Sequence, residues 1–229
     1  IFASAPQFLV KEIMRNNNDI YLIVLRHGRC EEGDLSPSGK TQIKAVAKEL
    51  EKENLEPDLF ITSPTARTRQ SSSIIRNHFN SVAKECEYNL FFEKSEDNSE
   101  IIELLNTIDN THQNILISGH GETVNSFTYH ILQEEDCKKL FQIAETEKLH
   151  DYLNNKRDYI ATSAAQGEVL ILKSLKTSKN QNIAELNWQF FGYITAGKLS
   201  LASEITSNIE SLGKKKSLEK NFPILMFER

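Results

Sequence analysis

The chain has little cysteine: Cys30, Cys86 and Cys137 are all it contains in 229 residues. An odd number at irregular spacing argues against a disulfide framework and fits free thiols in a reducing compartment, with the cytoplasm as the expectation. Zinc-type spacing is missing too. Cys30 could be grouped with His27 and His120, but no second coordinating pair completes such a site, so no metal is expected. No apolar run approaches the length that spans a bilayer, and no internal repeat or long low-complexity tract is present. Basic residues are not in excess. The net charge is −5, without the basic balance that marks most nucleic-acid binders. The expectation is therefore a protein without nucleic-acid or membrane partners.

What is present is one pattern used three times. The apolar, β-rich run Ile20 to Leu25 leads straight into Arg26-His27-Gly28. Asp58 to Thr62 leads into Ser63-Pro64-Thr65-Ala66-Arg67, and Asn114 to Ser118 leads into Gly119-His120-Gly121. Such runs read as buried strands of a parallel sheet. Open α/β sheets bind ligands beyond the carboxyl ends of their strands. If the three strands are neighbours, two arginines and two histidines converge on one cavity, with no acidic side chain in the group. That is a site for an anion, most plausibly phosphate.

Helical patterns fill the intervals. Ser36-Pro37 is a start signal, because Ser caps free amides and Pro suits the first turn. Ile43, Val46, Ala47 and Leu50 then form one stripe. Ser63-Pro64 repeats the signal. Ile101 to Ile108 and the stretch from Val124 to Leu132 read as two more helices, with a possible short strand at Leu90-Phe91-Phe92. Late in the chain, 167–172 and 183–190 read as strands joined by the polar stretch 173–182. A connection that short implies an antiparallel pair. The organisation expected is a lead-in over 1–18, an α/β domain over 19–191, and a tail over 192–229. Residues 134–157 read as a charged helix, and 199–212 as an amphipathic one. Lys214-Lys215-Lys216 reads as solvated surface, and His78, His112, His130 and His150 as isolated surface or packing residues.

Taken together, Leu25-Arg26-His27-Gly28, Leu35-Ser36-Pro37-Ser38-Gly39-Lys40-Thr41-Gln42, Ser63-Pro64-Thr65-Ala66-Arg67-Thr68-Arg69-Gln70 and Gly119-His120-Gly121 resemble the motifs of the histidine phosphatase superfamily, in order and in spacing. The match covers roughly residues 19 to 132. Thr162-Ser163-Ala164-Ala165 and Leu186-Asn187-Trp188-Gln189 are similar to the closing strands of the bacterial SixA-type phosphohistidine phosphatases. The resemblance implies a phosphoglycerate-mutase-like fold: an α/β, three-layer αβα sandwich whose mainly parallel sheet ends in a C-terminal antiparallel strand pair. It also implies a hydrolase in which His27 is the nucleophile and Arg26, Arg67 and His120 hold the phosphoryl oxygens. Gly28, Ser63 and Gly121 would then line the substrate site, and no cofactor is required.

The leaving group is the open point. Esters leave poorly without a general acid. Some members of the superfamily carry an Asp directly after the second histidine, but here that position is Gly121. Glu93, Glu96 and Asp97 lie in a region where others carry an acid, although no motif marks them. A phosphohistidine substrate needs less help. The partner expected is a phosphorylated protein, with a small phosphorylated molecule as the alternative. A phosphomonoesterase, a mutase-like enzyme and a non-catalytic phosphate-binding module stay open beside the phosphohistidine reading.

Overall fold

Six successive apolar residues, Ile20 to Leu25, are completely or almost completely buried in β1 (Asp19–Arg26). Full burial of each such side chain is worth about 1.5–3 kcal/mol, which makes this strand the anchor of the sheet. The structure is a computed structural model. It describes residues 18–91, 98–133, 136, 165–176, 181–195 and 197–202.

Parallel to β1 runs β6 (Asn114–Gly119), then β4 (Leu59–Thr62) and β5 (Lys84–Glu87). On the other flank, β7 (Val169–Leu175), β8 (Gln189–Thr195) and β9 (Lys198–Leu201) are successively antiparallel. The seven-stranded order is β5-β4-β6-β1-β7-β8-β9, and β2 (Cys30–Glu31) and β3 (Asp34–Leu35) make a separate small hairpin. Side chains alternate across a strand. Tyr21, Ile23 and Leu25 pack with Ile43, Val46 and Leu50 of α1 (Pro37–Lys52) and Ile75 of α2 (Ala66–Phe79). Ile20, Leu22 and Val24 pack with Leu104 of α3 (Ser99–Asn106) and Phe127 of α4 (Gly121–His130). The result is the expected three-layer arrangement, helices on both faces of a mixed, mostly parallel sheet.

Several local expectations need correction. Ser36 does cap α1, its Oγ accepting from the Gly39 amide at 3.1 Å. Ser63 caps nothing: α2 starts at Ala66, and the Thr68 hydroxyl ties the Ser63 carbonyl at 2.6 Å, so the chain bends before the helix begins. The strand expected over 183–190 is displaced. Asn182 accepts from the Ala184 amide at 2.9 Å and winds Ile183–Glu185 into a 3-10 turn, so β8 begins only at Gln189. The sheet continues past residue 191 through β9, so the last strands form an antiparallel trio rather than a pair, and residues 199–201 are strand instead of the start of a helix. Leu90 and Phe91 are not in a strand. The expected lead-in over 1–17, the charged segment at 137–157, and everything after 202 lie outside the described residues.

Candidate active site

The ends of β1, β6 and β4 stand level. Leu25 pairs with Ser118, and Ser118 with Thr62, so Arg26, Ser63 and Gly119 all leave the sheet at one edge. The backbone amide of His27 continues the ladder to the Gly119 carbonyl at 3.1 Å. This places the two histidine rings 5.4 Å apart, edge to face, both almost wholly buried.

Hydrogen bonds fix both rings. His27 Nδ1 lies 2.8 Å from the Gly28 carbonyl, which can only accept. That nitrogen therefore carries the proton, and Nε2 keeps its lone pair. Arg67 Nε donates to His27 Nε2 at 3.0 Å, and Arg67 Nη2 reaches His120 Nδ1 at 3.5 Å. His120 Nε2 then donates to Ser63 Oγ at 2.9 Å. Arg67 is the second residue of α2. Helical side chains lean toward the N-terminus, so its guanidinium reaches back to the strand tips. Arg69, two residues on, points elsewhere and pairs with Glu87 at 2.6 Å.

Both imidazoles are held neutral. Burial, then the charges of Arg67, His27 and Arg26, lower the His120 pKa from 6.5 to about 3. Burial also lowers that of His27. The Gly28 carbonyl works against this, Arg67 and Arg26 add to it, and Glu122 opposes it. The unfolded imidazoles titrate near 6.5 and bind more protons than the folded ones below that pH, so stability is lost as pH falls from 6.5 toward 3. Each pH unit costs at most about 1.4 kcal/mol per histidine. Thermal midpoints measured from pH 7 to 4 should fall, and less steeply for His120→Asn; equal slopes would refute the assignment.

The two glycines make room for different neighbours. A Cβ on Gly28 would lie 2.7 Å from the Gly39 carbonyl, so its missing side chain makes room for α1 and not for a ligand. Its amide donates to Ser71 Oγ at 3.3 Å. A Cβ on Gly121 would lie 3.3 Å from Arg26 Nη1, which brings that half-buried guanidinium to the start of α4.

Two neighbours escaped the sequence reading. Glu122, exposed in the first turn of α4, is close enough for its charge to act on His27. The anion site is thus not free of carboxylates, and the signal was the second residue after His120 rather than the first. Phe91, 45% exposed, stacks on the His120 ring at 3.9 Å and 17°. Thr123 Oγ1 donates to the Leu90 carbonyl at 2.6 Å and ties this loop to α4. Glu93, Glu96 and Asp97 lie outside the described residues. Of the other histidines, His78 pairs with Glu51 at 2.9 Å and His112 with Asp58 at 3.2 Å, both away from the site. Among the described residues, no three His, Cys, Asp or Glu gather as metal ligands, and no helix is long and apolar enough to cross a membrane.

A neutral imidazole with a directed lone pair, set among arginines at the tips of parallel strands, is an arrangement suited to nucleophilic attack on a phosphoryl group. Residues 22–90 match the family model described as histidine phosphatase superfamily, branch 1. Solved structures share its fold. The protein histidine phosphatase SixA complexed with tungstate aligns with a TM-score of 0.53 at 12% identity, covering 77% of this chain and 97% of that one. A structure assigned as phosphohistidine phosphatase SixA from Nakamurella multipartitia gives 0.50 at 16%, covering 77% and 96%. No curated protein sequence matches the chain.

Proposed function

We propose that the chain is a phosphatase that works in two steps through His27, and that its substrate is phosphohistidine on a protein. The observation that carries this is the pinned tautomer: Nδ1 is committed to the Gly28 carbonyl, and Nε2 faces the pocket beside Arg67. In the first step, Nε2 attacks phosphorus in line, the substrate's P–N bond breaks, and its imidazole, already protonated on the other ring nitrogen, departs as the neutral ring. In the second, water attacks phosphorus, the P–Nε2 bond breaks, and phosphate leaves with His27 restored. Arg26 and Arg67 offset the charge on the phosphoryl oxygens. His120, neutral and with its one ring N–H on Ser63 Oγ, sets its ring edge to face against that of His27 as a wall of the pocket. Gly121 keeps the path to Arg26 clear.

A second reading has its own support. It rests on Glu122, a carboxylate in the first turn of α4 whose charge acts on His27: such a group, reaching an alkoxide leaving group or the attacking water, would favour ester substrates. The test is turnover of a phosphohistidine protein and of an alkyl phosphate by wild type and Glu122→Gln. Under the first reading, alkyl phosphate is poor throughout and phosphohistidine turnover changes little. Good alkyl phosphate turnover that falls about 100- to 10,000-fold in the variant selects the ester reading. Phosphate binding without turnover of either substrate selects a binding module.

A further inference from the structure

Glu168 is a carboxylate just ahead of β7, only 4% exposed. Tyr193 donates to its Oε2 at 2.6 Å and Thr195 to its Oε1 at 2.8 Å, and the Ala165 amide also donates to Oε2. Three neutral donors are a generous shell, yet a buried carboxylate still carries a desolvation cost that a cation best offsets.

The register of the sheet sets a cation on the neighbouring strand. Leu25 pairs with Val169 and Val169 with Ile194, so one step further on Arg26, Glu168 and Thr195 stand side by side across three strands. The Arg26 amide donates to the Glu168 carbonyl at 3.0 Å, which fixes this register at the strand tip. Leu25, Val169 and Ile194 all face α1. The next residue of each strand therefore faces the opposite layer, where Tyr193 also lies. Residues directly opposite on one face have Cβ atoms about 4.5–5.5 Å apart. Burial and the Glu168 charge push the Tyr193 pKa up, while the Arg26 charge pulls it down, so the arginine acts inside this cluster. Its other end lies against Gly121, at the pocket.

We infer that Glu168, held by Tyr193 and Thr195, is a positioning residue that aims the Arg26 guanidinium at the phosphoryl group. This rests on the phosphatase reading of the pocket. A long side chain at a strand tip has many rotamers. A fixed anion opposite it reduces them before substrate arrives, which is what preorganised charge stabilisation requires.

The test measures binding of inorganic phosphate to the full chain by calorimetry, with thermal midpoints alongside. Glu168→Gln should weaken binding about ten-fold, the size of one charge-assisted hydrogen bond, and Glu168→Asp should recover part of it. In an Arg26→Ala background, Glu168→Gln should add less than about two-fold. A folded Glu168→Gln protein that binds phosphate like wild type, or that loses the same factor with and without Arg26, overturns the inference. If that variant does not fold, NMR on the wild type decides: the Arg26 Nε–H should be rigid without phosphate, with an order parameter near 0.85, and a value below about 0.6 overturns it. Should wild type bind no phosphate, the phosphatase reading fails, and the same NMR result still decides the Glu168–Arg26 pairing.

Discussion

Replacing His27 by alanine is expected to abolish turnover, with a fall of about 10,000-fold or more. Among the described residues, no other nitrogen of the pocket is free to take over. His120 Nε2 carries the proton that goes to Ser63, and its Nδ1 faces Arg67. The fold should survive, because the backbone amide of residue 27 keeps its bond to Gly119 whatever the side chain. Acid-labile, base-stable phosphate should be trapped on wild type by a rapid base quench and be missing from His27→Ala. A variant that still turns over, or a wild type that never carries such phosphate, would remove His27 as the nucleophile.

Arg67→Met should lower kcat by about 100- to 1,000-fold, the usual effect of deleting one preorganised donor to transition-state charge. It should also shift the pH profile. The Arg67 charge contributes to holding both histidines below 6.5, after burial itself. Without it, both pKa values rise, and the acid limb of kcat/KM moves to higher pH. A merely destabilised protein would lose activity without that shift, so the pH profile of the residual activity is the deciding measurement.

Much of this could be read from the residues. Ile20 to Leu25, Leu59 to Thr62 and Asn114 to Ser118 are buried on both faces, so their apolar runs are unbroken and their carboxyl ends easy to mark. The convergence of His27, Arg67 and His120 follows from adjacency of those ends. What escaped was carried by geometry without pattern. β5, with the sequence Lys-Glu-Cys-Glu, is an edge strand with three of its four residues exposed, so no apolar alternation announces it. Leu186, Trp188 and Phe190 are buried and alternate like a strand, yet the first two fill the core from the chain just after a 3-10 turn, which Asn182 caps. Glu122 sits one place beyond the position directly after His120 and far from Glu93, Glu96 and Asp97, the places where an acid is expected, so no motif marks it. Glu168 read as the ordinary opening of a strand; only the cross-strand register sets it opposite Arg26.

The placement of β1 also bears on how the chain must be made. Its partner on one flank, β6, ends at Gly119, while the other, β7, begins only at Val169. During synthesis, the most apolar strand of the protein therefore waits with one row of amides and carbonyls uncovered. The same holds for a fragment cut between β6 and β7 that has lost its far portion. An open, fully apolar edge is a template for another chain. Truncated products ending before Leu175 should consequently collect in aggregates, even though His27, Arg67 and His120 are all present in them.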